Sequence, residues 1–85
     1  MEQKVFVKLF AAFREALGKG SLEWTIPAEG NFAVKDLLAA MALEYPAIAG
    51  PGRISRVMVN QRYAKNDTIL APGDEVAFIP PVGGG

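Results

Sequence analysis

The last strand of this chain has a fixed stopping point. Asp74-Glu75-Val76-Ala77-Phe78-Ile79 leads straight into Pro80-Pro81-Val82 and then into Gly83-Gly84-Gly85. Consecutive prolines fix φ and remove two N–H donors, so a sheet must end there and the remaining residues leave it extended. At up to about 3.3–3.6 Å per residue, the segment from Pro80 to Gly85 reaches roughly 20 Å. A terminal glycine has no Cβ to crowd its carboxylate and no side chain to bar passage into a narrow tunnel. The sequence therefore predicts a domain over residues 1–81 and a flexible tail over residues 82–85. Chain ends are commonly unstructured without being functional, so the body of the domain has to decide what the tail is for.

With 85 residues, 51% of them hydrophobic, the chain is one small domain with enough apolar material for a single core. It contains no cysteine and no histidine. Disulfides and thiolate metal sites are thereby excluded, along with the usual general base and the commonest metal ligand. No metal site is expected. Nine basic and nine acidic residues give a formal net charge of +0, which provides no global field for nucleic acid or an anionic membrane. No apolar run approaches membrane-spanning length, and Met1-Glu2-Gln3-Lys4 does not open a signal peptide. The expectation is a cytoplasmic protein that is not an enzyme by itself.

Val5-Phe6-Val7-Lys8-Leu9-Phe10 alternates with period two and predicts a strand. Val5, Val7 and Leu9 share one face; Phe6, Lys8 and Phe10 share the other, which Lys8 marks as the wetter. Ala11 to Leu17 predicts a short helix with Phe13 and Leu17 at i,i+4, stopped by Gly18. Leu22, Trp24 and Ile26 point inward from an alternating segment that pairs with the first strand. The main helix is expected to begin near Asn31 and run to Tyr45. Val34, Leu37, Leu38, Met41, Ala42 and Tyr45 form its apolar stripe, and Pro46 stops it. Val57-Met58-Val59 predicts a short strand, Asn60-Gln61 a turn, and Thr68-Ile69-Leu70 a minor strand. Pro72 and Gly73 occupy the central positions of a type II turn before the last strand. Hairpin, crossover helix and further strands make an α+β fold, a mixed sheet packed on one main helix. With a Gly-Gly end, that order suggests a ubiquitin-like β-grasp.

The run from Leu70 through Ala71-Pro72-Gly73-Asp74-Glu75-Val76 to Gly85 resembles the C-terminus of molybdopterin synthase small subunits (the MoaD family), sulfur carriers related to the thiamine carrier. The likeness extends to Val7-Lys8-Leu9-Phe10-Ala11-Ala12-Phe13-Arg14-Glu15 and to Val59-Asn60-Gln61. Gly83 fills a variable position and leaves the terminal pair intact. The resemblance implies that an E1-like adenylating enzyme uses ATP to convert the Gly85 carboxylate, presented by Gly84-Gly85, to an acyl-adenylate. A sulfur donor then displaces AMP and leaves a thiocarboxylate. The sulfur passes to a pterin precursor in the large subunit of the synthase, and two transfers build the dithiolene. No cofactor is bound permanently; adenylate and thiocarboxylate are covalent states of the terminus. The resemblance also implies partner contacts at Phe10, Tyr63 and Ile79, and along Pro80, Pro81, Val82 and Gly83. Pro80-Pro81 favours this carrier over the thiamine one. Carriers for cysteine synthesis or tRNA thiolation share the Gly-Gly end and remain open, as does a ubiquitin-like modifier joining Gly85 to a lysine.

On the last strand the alternation sends Val76 and Phe78 to the helix and leaves Glu75, Ala77 and Ile79 opposite. An apolar patch of Phe10, Ile79, Pro80 and Val82 is expected beside the tail. Asp74 and Glu75 are neighbours on a strand and cannot share a substrate, so Asp74 reads as a turn cap. Gly50-Pro51-Gly52 is no phosphate loop, because no Lys-Ser/Thr follows it into a helix. Arg53, Arg56, Arg62 and Lys65 lie between Pro51 and Asn66 without an acidic residue among them. The sequence fits either pairing with acidic groups on a partner or a solvated surface. No aromatic side chains interleave these charges in a groove-like pattern, so the run does not suggest nucleic-acid binding.

Overall fold

A computed structural model describes residues 3–27, 29–50 and 55–79. Strand β1 (Lys4–Leu9) buries Val5, Val7 and Leu9 and turns Phe6 and Lys8 to solvent, as the alternation predicts. Helix α1 (Ala11–Leu17) follows at once, entered through Ala11 at φ 48°. Gly18, at φ 73°, ends it by donating its N–H to the Arg14 carbonyl at 2.8 Å. Strand β2 (Ser21–Thr25) then runs antiparallel to β1, with Trp24 opposite Val5 and Leu22 opposite Val7. The predicted pairing is present, with α1 in the connection instead of a tight turn. Leu22 and Trp24 are half-buried at this sheet edge, and Ile26 is buried.

Helix α2 (Val34–Glu44) buries Val34, Leu37 and Met41, with Leu38, Ala42 and Tyr45 packed at the margin. It begins at Val34 and not near Asn31. The Phe32 carbonyl accepts the Leu70 N–H at 2.8 Å and Ala33 forms a bridge with Ile69, which keeps these residues extended. The Asp36 carboxylate then accepts the Ala33 N–H at 2.9 Å, reaching back one turn as the acidic half of a capping box does. After Tyr45 a short 3₁₀ turn (Pro46–Ile48) buries Ile48.

Strands β3 (Arg56–Val59) and β4 (Arg62–Ala64) form a hairpin around Asn60 and Gln61, at φ 52° and 67°. Positive φ at both central residues is what a type I′ turn demands. The minor strand is therefore at residues 62–64 and not at Thr68-Ile69-Leu70. The tight turn returns the chain directly alongside β3, and Ile69 makes only its single bridge to Ala33. Gly73 adopts φ 89° and the Asp74 N–H returns to the Ala71 carbonyl at 3.1 Å, completing the type II turn before β5 (Glu75–Ile79).

The sheet order is β2-β1-β5-β3-β4, with β1 and β5 parallel at the centre and the other neighbours antiparallel. This is the mixed β-grasp sheet that the sequence predicts. Its helix-side face supplies Val5, Val7, Leu9, Val57, Val76 and Phe78 to one core with Phe13, Val34, Leu37, Met41 and Ile48. Phe13 and Phe78 stack with ring centroids 5.6 Å apart, so α1 is anchored to the central strand by the two largest core side chains. Among the described residues no helix is long and apolar enough to cross a membrane.

Candidate functional site

The parallel pairing of β1 with β5 puts the N-terminal strand beside the one that leads to the tail. Leu9 is opposite Phe78, so Phe10 and Ile79 follow side by side. Both line a depression of about 220 Å³ on the open face of the sheet, together with Lys8, Met58, Gln61, Glu75 and Ala77. Phe10 is 45% exposed, and Ile79 is half-buried. Ala11, in the left-handed region immediately after Phe10, sets the direction in which the chain leaves the strand. An L-residue there costs about 1–2 kcal/mol, and that strain lies next to the most exposed apolar side chain of the depression.

Tyr63 is not in the depression. It belongs to the row Lys8–Ala77–Met58–Tyr63 that crosses four strands, and it stands 72% exposed at the far edge. Phe6 shares the open face but lies at the other end of β1, opposite Glu75 and Glu23, where it lines a broad groove along β2. Met58 is the contributor that sequence reasoning did not single out. Its signal was available, because Val57 and Val59 alternate around it and point to the helix side. Gln61 escaped for a different reason, since only the turn geometry brings it back over the sheet. Pro80, Pro81, Val82, Gly83, Gly84 and Gly85, the remaining predicted site residues, lie outside the described residues.

The launch point of β5 is clamped. Asn60 donates its amide to Asp74 Oδ1 at 2.9 Å and accepts the Glu75 N–H on Oδ1 at 3.0 Å. Asp74 Oδ2 in turn accepts the Ala71 N–H at 2.8 Å, confirming its reading as a turn cap. One asparagine thus ties the β3–β4 turn to the start of the tail-bearing strand. The two lysines of β1 on the open face are paired: Lys8 with Glu75 at 3.4 Å, and Lys4 with Glu23 at 3.1 Å. Exposed pairs of this kind contribute little stability; Lys8 and Glu75, which both line the apolar depression, balance charge within it. No group of three or more metal-ligating side chains occurs among the described residues. Among the described residues the depression combines apolar side chains with one ion pair, an arrangement that offers surface for association.

The model of the ThiS family matches residues 7–85, from the middle of β1 to the last glycine. The chain belongs to the ThiS family. Among its relatives, the molybdopterin synthase sulfur carrier subunit of Mycobacterium tuberculosis is 37% identical over 82 residues, covering 96% of this chain and 98% of that one. The crystal structure of Haloferax volcanii small archaeal modifier protein 1 superposes with a TM-score of 0.80 at 27% identity, covering 94% of this chain and 99% of the other. A second similar structure is a protein–protein complex of subunits 1 and 2 of the molybdopterin-converting factor from Helicobacter pylori. Its matched chain has a TM-score of 0.64 at 25% identity, with 96% of this chain and 99% of that one covered. This ThiS-family chain therefore shares its β-grasp with carriers and with modifiers, and the family resemblance read from its C-terminal residues holds.

Proposed function

We propose that the chain is a sulfur carrier, the small subunit of a molybdopterin synthase, whose C-terminal glycine is the reactive group. The observation that carries this reading is the near full-length similarity to sulfur carrier subunits, with a family match that includes Gly84-Gly85. An oxygen of the Gly85 carboxylate attacks the α-phosphorus of ATP on an E1-like enzyme, and pyrophosphate leaves. A sulfur nucleophile at the sulfide level then adds to the acyl carbon, and AMP departs with the bonding electron pair. The product is a C-terminal thiocarboxylate. Activation has to come first, because a carboxylate is a poor electrophile and adenylation supplies its leaving group.

The folded domain does recognition and not bond-making. Phe10, Ile79, Met58 and Ala77 form the apolar centre of a docking face next to the root of the tail, and Tyr63 marks its outer edge. The large subunit of the synthase and the adenylating enzyme occupy this face in turn, and the sulfur passes to a pterin precursor held by the large subunit. The paired subunits of the Helicobacter pylori complex support the first partnership. The similarity to an archaeal modifier supports a second use of the same activated end, an amide bond to a lysine. Cytoplasmic location follows from this role, since ATP and both partners have to be at hand. Adding one residue after Gly85 tests the reading: AMP transfer should vanish while the thermal midpoint stays put. Normal AMP transfer to the extended chain would sink it.

A further inference from the structure

The run of cations between Pro51 and Asn66 is divided by the fold. Arg53 lies outside the described residues. Arg62 alternates away from Tyr63 to the helix side of the sheet, opposite Val59. Arg56 and Lys65 stay with Tyr63, and together with Ser55 and Asn66 they line a hollow of about 360 Å³ with no carboxylate among its described lining residues. The Arg56 guanidinium stands 5.9 Å from the Tyr63 ring centroid, within cation–π range. Lys8, by contrast, lies against Glu75. The hollow adjoins the apolar depression, because Arg56 is opposite Ile79 and Tyr63 is opposite Met58.

The chain has as many acids as bases, yet among the described residues none of the side chains lining this hollow is a carboxylate, and Asp67, next to Asn66 in sequence, is not one of them. We propose that Arg56, Lys65 and Tyr63 form a carboxylate-reading rim of the docking face. A protein partner meets it with an acidic strip set beside the apolar side chain that fills the depression. This rests on the docking role assigned to that face above. A guanidinium presents a planar fork suited to carboxylates, and Lys65 adds a point charge beside it. Unbalanced rim charge of this kind acts chiefly on encounter, raising the association rate and making it sensitive to salt. Because a carrier shows one face to each partner in turn, the large subunit and the adenylating enzyme should carry the same acidic strip.

The test compares association with the large subunit at about 10 mM and about 1 M salt, where the screening length falls from roughly 30 Å to 3 Å. The variants are Arg56→Glu with Lys65→Glu, and a control of equal charge change in and just after α1, before β2 at the opposite edge of the sheet, Arg14→Glu with Lys19→Glu. The rim variant should associate about tenfold more slowly at low salt and converge on the unmodified chain at high salt. The control should stay close to the unmodified chain, and Arg56→Lys with Lys65→Arg should retain the fast rate. Equal rates for the rim variant and the unmodified chain, or an equal loss in the control, would overturn the rim. Displacement of the large subunit by a single-stranded oligonucleotide at this corner would overturn it too. Ile79→Lys is measured alongside. If it abolishes binding while rim reversal changes nothing, the docking face stands and only the rim falls. If it binds normally, the docking face falls and takes the rim with it.

Discussion

Each strand of the sheet contributes to two faces with opposite duties. On β5, Val76 and Phe78 are at 0% and 1% exposure beneath the helices, while Glu75, Ala77 and Ile79 between them stay half-open. On β1 the same division separates Val5, Val7 and Leu9 from Phe6 and Lys8. The covered face is uniformly apolar and fixes the fold. The open face mixes rings, a methionine and charges, a composition that offers apolar area to a partner within a polar surround. Moving one residue along a strand should therefore convert a folding defect into a binding defect.

That contrast can be broken most severely at Phe78. Phe78→Ala removes the ring stacked on Phe13 and should cost about 3–5 kcal/mol of stability in denaturant titration. A cost near zero would mean that the covered face is not the core. Ile79→Lys, one position on, should leave the melting curve nearly unchanged and weaken binding to the large subunit by about 2 kcal/mol, as calorimetry would register. Asn60→Gly keeps the positive φ of the turn but removes two side-chain hydrogen bonds to the root of β5. It should cost about 1–2 kcal/mol, and no loss would show that the clamp is idle. Ala11→Gly relieves the left-handed strain beside Phe10 and should raise stability by about 0.5–1 kcal/mol. Lys8→Met, which breaks an exposed pair, should change stability by less than about 0.5 kcal/mol.

The strands of the covered face were legible because period-two alternation and period-3.6 stripes report burial directly. Val5, Val7, Leu9, Val34, Leu37, Met41, Val76 and Phe78 all carry that signal. What escaped depended on contacts distant in sequence. The start of α2 slid to Val34 because Phe32 and Ala33 are recruited by Leu70 and Ile69, more than thirty residues away. Strand β4 was missed because residues 62–64 are too short to show a period, and the type I′ turn that returns them uses Gln61, not the glycine that usually marks it. Of the candidate site, Phe10 and Ile79 were read from alternation and come together because β1 and β5 are parallel neighbours. Tyr63 came only from the family resemblance, and it stands at the edge of the face and not in its centre. The four-cation run, a single feature in sequence, is parted by strand alternation, which leaves Arg56 and Lys65 together.

The central claim is that the open face serves a chemically active terminus. Intact mass after incubation with ATP, a sulfur source and the adenylating enzyme tests it most directly. The account predicts a gain equal to one oxygen exchanged for one sulfur, lost when Gly85 is deleted and retained in Ile79→Lys if enough enzyme is supplied. An unchanged mass, with the same enzyme active on its own carrier, would contradict it.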